Sequence, residues 1–238
     1  WWWIMDADDS CLETQTKPTS PALFQSHPGI QEIVSEDMFG CAASLKLVPD
    51  PSAAGGGGHI SLDSATAFDG DALLLIETLS LIEASSEKWS ATLGFEDPLN
   101  SPWVKEQNLK VGQPALPTYR KLLATLGAQA MGAKPLDFHS LIKQLQSFTM
   151  RLRNPQIEKM KKSPRPQVRK AAAQAASAPL HYQAVNVEHM LKTDGSARLE
   201  LRALGAQRDL ATLARDLRFI FEILAQARQN AHLRAGPK

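Results

Sequence analysis

From Gln207 onward the chain repeats apolar residues at steps of three and four: Leu210, Leu213, Ala214, Leu217, Ile220, Phe221, Leu224 and Ala227. That spacing lays one apolar stripe along a helix. Residues 207–233 are therefore expected to form a helix of about 26 residues, roughly 39 Å long at 1.5 Å per residue. A helix of that length is either the spine of a fold or a surface that pairs with another helix. Arg208, Arg215, Glu222 and Gln229 fall seven apart on a flanking stripe, but strict heptad spacing lasts only about three heptads, short of a coiled coil.

Shorter stripes surround it. Phe138, Leu141, Ile142, Leu145, Phe148 and Leu152 share one helical face, with Asp137 as the expected cap and Asn154-Pro155 as the expected end. Tyr119, Leu122, Leu123 and Leu126 mark a helix stopped by Gly132 and Pro135, and Leu75, Leu79, Ile82, Trp89 and Leu93 mark another over residues 72–93, capped by Asp69 or Asp71. Ile30, Ile33, Val34, Met38, Ala42 and Leu45 suggest a short helix with Gly40 as its weak point. Residues 6–29, with three prolines and no sustained period, read as an extended arm, and residues 95–117, with four, as a crossover.

One region alternates instead. Residues 180–191 and 197–202 flank Asp194-Gly195, the pattern of an antiparallel β-hairpin. Leu199 and Leu201 are expected to face the core, with Arg198, Glu200 and Arg202 facing solvent. An isolated two-stranded ribbon is marginal, so it must lie on a helix or join other strands. The expected fold class is mainly α with one antiparallel β-hairpin (α+β) and a long C-terminal helix. The expected organisation is an acidic extended arm with one short helix and a Gly-rich linker over residues 1–60. A helical domain follows over 61–238, carrying the hairpin at about 180–203 and a basic loop at about 154–170.

Charge divides the chain unevenly. The formal net charge is +1. Yet residues 1–100 hold three cations against sixteen carboxylates, and residues 101–238 hold twenty-three against nine. Such asymmetry points to a polyanion met by the basic half, or to the two halves meeting within one chain or between copies. The gradient peaks at Arg151, Arg153, Lys159, Lys161, Lys162, Arg165, Arg169 and Lys170, with Glu158 alone opposing them. Pro164 and Pro166 keep the middle of this run out of a helix. Together with Arg198 and Arg202 of the hairpin, these eight form the candidate nucleic-acid-binding set. Tyr182 is the single aromatic suited to stack among them, so duplex backbone is favoured over single-strand stacking. The run Lys161-Lys162-Ser163-Pro164-Arg165-Pro166 also fits an import signal with a phosphorylation site at Ser163.

Motifs for catalysis are missing. The sequence contains no His-Glu-x-x-His, no Gly-x-Ser-x-Gly, no Gly-Lys-Ser/Thr ending to its glycine run and no calcium-loop spacing. The four glycines 55–58 read as a flexible connector. Six histidines lack zinc spacing, and Cys11 and Cys41 form no CxxC, so no metal or cofactor is expected and an intracellular, cytoplasmic setting is. No apolar run approaches a membrane span. Trp1-Trp2-Trp3-Ile4 ahead of Met5 reads as an extraneous lead or a docking anchor, not as an aromatic binding site.

These features lead to a non-enzymatic accessory or adaptor subunit whose basic half contacts nucleic-acid phosphates. With eight contacts to duplex DNA, log affinity would fall against log salt with a slope near −7, about −0.9 per contact. The alternative is a protein-binding structural or secretion-type adaptor, a homo-oligomer included, assembled through acidic-to-basic contacts. An enzyme of unknown class ranks third.

Overall fold

A computed structural model describes residues 3–8, 11–47, 57–85, 112–177, 185–205 and 207–235. Its strands are β1 (Trp3–Asp8), β2 (Cys11–Thr16), β3 (Gly57–Asp63), β4 (Val185–Asn186) and β5 (Arg198–Gly205). The helices are α1 (Pro21–Ser26), α2 (Pro28–Glu32), a π-helix (Ile33–Gly40), α3 (Cys41–Ser44), α4 (Ser64–Phe68), α5 (Ala72–Ala84), α6 (Gly112–Ala130), α7 (Phe138–Lys161), α8 (Pro166–Ser177) and α9 (Leu210–Ala235). The fold is mainly helical with a small antiparallel sheet, as the periodicities indicate.

Helix α9 is the spine. Its C-terminal half buries Phe219, Ile220, Ile223, Leu224, Ala227 and Ala231 in the main core, against α5 and beside the sheet. Its N-terminal half lays Leu210, Leu213, Ala214 and Leu217 on a second cluster of Phe24, Ile30, Val34 and Met38 from the N-terminal segment. Leu217 touches both clusters. Each large aliphatic side chain removed from water contributes roughly 1.5–3 kcal/mol, so one stripe fastens two parts of the chain.

Helix α5 sits at the centre of the main core. Residues 72–79 are all buried, which requires an apolar surface on nearly every side. Asp71 starts it, its carboxylate accepting from the backbone N–H groups of Leu73 at 2.8 Å and Leu74 at 3.0 Å. The one acid in this run, Glu77, is 2% exposed and pairs through Oε1 with Nη1 of Arg234 at 2.7 Å, while Asn230 Nδ2 donates to Oε2 at 3.3 Å. The end of α9 is thereby tied to the middle of α5. The expected continuation to residue 93 lies outside the described residues.

The N-terminal segment differs from an extended arm. Strands β1 and β2 pair as an antiparallel ribbon, and Trp3 packs on the Phe24 cluster, so at least this indole docks on the fold. The expected helix over residues 30–45 is interrupted. Ile30, Val34 and Met38 keep a strict four-residue step, and the wider π turn holds that step on one face better than 3.6 residues per turn would. Leu45, expected on the apolar stripe, is 59% exposed beyond the end of α3.

The β-hairpin became a three-stranded sheet. Strand β5 is central, paired with β4 on one side and with β3 on the other. Gly57 and Gly58, expected in a connector, open β3, which crosses the expected boundary at residue 60. Between Gly58↔Leu204 and Ile60↔Leu201, β5 advances three residues for two on β3. This bulge restores Leu204 to the face of Leu199 and Leu201, and all three are at most 1% exposed. The first strand is only two residues in its described part. Asn186 Oδ1 accepts from the N–H of Glu188 at 2.8 Å, an Asx-type bond that turns the chain away. Residues 180–184 lie outside the described residues.

Candidate nucleic-acid interface

The basic run is not a loop. Helix α7 passes through Pro155 and ends at Lys161, residues 162–165 turn, and Pro166 opens α8 at the first helical position, where a missing N–H costs nothing. Pro155 removes one backbone bond and costs about 3 kcal/mol in a helix interior. Packing between α7 and α8 offsets it: Ile157 is 5% and Ala172 0% exposed on the two helices. The sequence reading holds at Pro164, which lies in the turn, and fails at Pro166, which starts α8, and at Pro155, inside α7. The cations therefore ride on a helical hairpin, rigid where a loop would be mobile.

Around this hairpin Arg151, Lys159, Lys161, Lys162, Arg165, Arg169 and Lys170 are all exposed. Lys161 pairs with Glu158 at 2.6 Å, and this charge holds the Glu158 carboxyl below its usual range, through the hydrogen bond first and then by Coulomb attraction. The pair is fully solvated, so it neutralises the single acid of the run more than it stabilises the fold. Arg169 Nη1 donates to the carbonyls of Ser163 at 2.9 Å and Pro164 at 3.0 Å, closing the turn. The side chains of Lys159, Arg165 and Lys170 take part in no ion pair or hydrogen bond among the described residues. Arg153 lies within α7.

The hairpin arginines do not join them. Arg202 is 8% exposed and Glu200 5%, although both were expected to face solvent. Arg202 Nη1 lies 3.4 Å from Glu200 Oε2, Arg198 Nη2 lies 2.7 Å from Oε1, and Asn186 Nδ2 donates to Oε2 at 2.9 Å. On this second face of β5, Glu200 and Arg202 are buried while the side chain of Arg198 keeps a third of its surface exposed. A charge buried there persists only when paired. Burial alone would raise the Glu200 carboxyl, but Arg198 and Arg202 outweigh it and hold the group below its ordinary value. Arg198 and Arg202 thus close an ion cluster on Glu200, with Arg202 buried and Arg198 a third exposed.

Other arginines are similarly committed. Arg215 donates to the buried Asp216, Arg234 pairs with Glu77, and Arg120 pairs with Glu83 at 3.0 Å. Lys143 and Arg151 differ. Neither is in an ion pair among the described residues, and both line a recess of about 400 Å³ between α6 and α7. Arg151 was legible as part of the basic run, whereas Lys143, eight residues earlier on an otherwise neutral stretch, carried no signal beyond its phase on the helix. Among the described residues no group of three or more His, Cys, Asp and Glu is placed to hold a metal ion, and no helix is long and apolar enough to cross a membrane.

Comparison with family models, with curated proteins and with solved structures gave no match to this chain.

Proposed function

We propose that the protein is a non-enzymatic accessory or adaptor subunit whose α7–α8 hairpin contacts nucleic-acid phosphates. One observation carries this reading. Arg120, Arg198, Arg202, Arg215 and Arg234 are matched to carboxylates. Arg208 ahead of α9, Arg218 and Arg228 on it, and most cations of the hairpin are exposed and in no ion pair among the described residues, and the hairpin gathers Arg151, Lys159, Lys162, Arg165 and Lys170 within twenty residues. Burying a charge against a partner serves the fold; arraying unpaired charges on a rigid surface serves a polyanion. The hairpin reads backbone charge and supplies no aromatic platform from its described exposed residues, so duplex is the favoured form.

The set is smaller than the sequence implied. Arg198 and Arg202 are paired with Glu200, Lys161 is shared with Glu158, Arg169 holds the turn, and the side chain of Arg153 lies outside the described residues. Arg151, Lys159, Lys162, Arg165 and Lys170 remain as direct contacts. Five contacts give a slope of log affinity against log salt of about −4.5, at −0.9 each. A mobility-shift titration at low salt, with a 20-base-pair duplex of arbitrary sequence, tests the reading. Retarded complexes that weaken steeply with salt support it, and no complex at any protein concentration sinks it.

A second reading, the structural or secretion-type adaptor assembled through acidic-to-basic contacts, has its own observation. Carboxylates of the acidic half already meet cations of the basic half within the chain, in the pairs Glu77–Arg234 and Glu83–Arg120. Light scattering at low and high salt separates the readings: salt-dependent oligomers without duplex binding favour the adaptor.

A further inference from the structure

We infer that Lys143, Ser147 and Arg151, with Gln144 beside them and Leu122 of α6 as the opposite wall, form an anion seat that takes one backbone phosphate. This rests on the nucleic-acid reading and extends its contact surface past the hairpin. The three residues stand at i, i+4 and i+8 of α7, so their Cα atoms rise in steps of about 6 Å over about 12 Å. At 100° per residue, Lys143, Ser147 and Arg151 lie within about 80° of arc, on one edge of the helix that leads towards the hairpin.

The lining is chemically one-sided. Two cations, a hydroxyl and an amide surround the recess, and no carboxylate is among its residues. No hydrogen bond or ion pair among the described residues engages the side chains of Lys143, Ser147 or Arg151. All three are exposed, so their donors are available to a ligand. Leu122 is half-buried and bounds the recess on its α6 side. The larger recess, about 650 Å³ beside α4, lacks this character. Asp69 lines it together with Arg228, whose Nη2 is already donating to the Ala67 carbonyl at 3.4 Å, so charge there is balanced.

Two measurements on the full chain decide the matter. Inorganic pyrophosphate, titrated against the ¹⁵N-labelled protein, is expected to shift the amides of Lys143, Gln144, Ser147 and Leu122, and Lys143→Ala is expected to abolish those shifts while leaving the circular dichroism spectrum unchanged. In duplex binding, Lys143→Ala is expected to reduce the salt slope by about 1 and to weaken affinity uniformly across sequences. Duplex binding whose affinity and slope survive Lys143→Ala intact would overturn the seat and spare the hairpin. Pyrophosphate shifts in the recess without any duplex binding would keep the seat, for a smaller phosphate ligand, and remove the nucleic-acid reading. The absence of pyrophosphate shifts at these residues overturns the seat outright.

Discussion

Glu200 shows how one residue can decide which charges a surface offers. Its carboxylate stands between two guanidinium groups and the amide of Asn186, and removing it leaves Arg202 buried without a counterion. Breaking a buried pair from one side costs about 3 kcal/mol or more, so Glu200→Gln is expected to lower the urea midpoint by an amount of that order. The pH dependence follows from the sign of the shift. The folded-state value lies below the ordinary 4.5, so this carboxylate stabilises the fold fully above about pH 4.5. The contribution fades as pH falls through the depressed value. In a pH series from 3 to 7 the wild type should lose more stability on acidification than Glu200→Gln does, and parallel acid limbs would contradict the assignment.

At the scale of elements, the proline rules proved uneven. Pro164 lies in the turn, as expected, whereas Pro166, expected to keep the run out of a helix, opens α8 at the one helical position that tolerates it. Pro155 is an interior proline that tertiary contact overrides, through Ile157 and Ala172, and nothing local announces that. If the helix pays about 3 kcal/mol for it and recovers up to about 1 kcal/mol from a stiffer unfolded chain, Pro155→Ala should stabilise by about 2 kcal/mol. Its measure is a rise in the urea midpoint at unchanged slope. A fall would mean that α7 needs the proline's bend to meet α8. The sheet was half legible for a similar reason. Alternation over residues 197–202 located β5 and its core face correctly, and Asp137 and Asp71 cap their helices as expected. What remained hidden was β3, more than 130 positions away, whose Ile60 and Leu62 pair with Leu201 and Leu199. The expectation that this face of β5 points outward failed at Glu200 and Arg202, which are buried, and held in part at Arg198, whose side chain is 33% exposed. Ile60-Ser61-Leu62-Asp63 alternates after the glycines and was the available signal.

The whole molecule is organised by α9, whose stripe was the clearest feature of the sequence and whose two halves serve two clusters. Leu217 is the joint between them. Leu217→Ala is expected to cost about 2 kcal/mol, and hydrogen exchange should show protection falling more in α2 and the π-helix than in α5. Equal loss in both regions would mean that the clusters open as one unit. The same architecture divides the charges: Arg198, Arg202, Arg215 and Arg234 are matched to carboxylates, while most cations of the α7–α8 end, Arg208 ahead of α9, and Arg218 and Arg228 on it are left exposed. Charge asymmetry between the halves pointed to that end, but only the fold could show which cations were already spent on carboxylates. The central claim is that exposed cations of the helical hairpin, and not those of the sheet, meet phosphate. The most direct measurement is the salt dependence of duplex binding for wild type, for Arg165→Ala/Lys170→Ala and for Arg198→Ala. The hairpin double variant should bind with a slope shallower by about 2, and Arg198→Ala should keep the slope of the wild type; a slope unchanged in the first and reduced in the second would contradict the account.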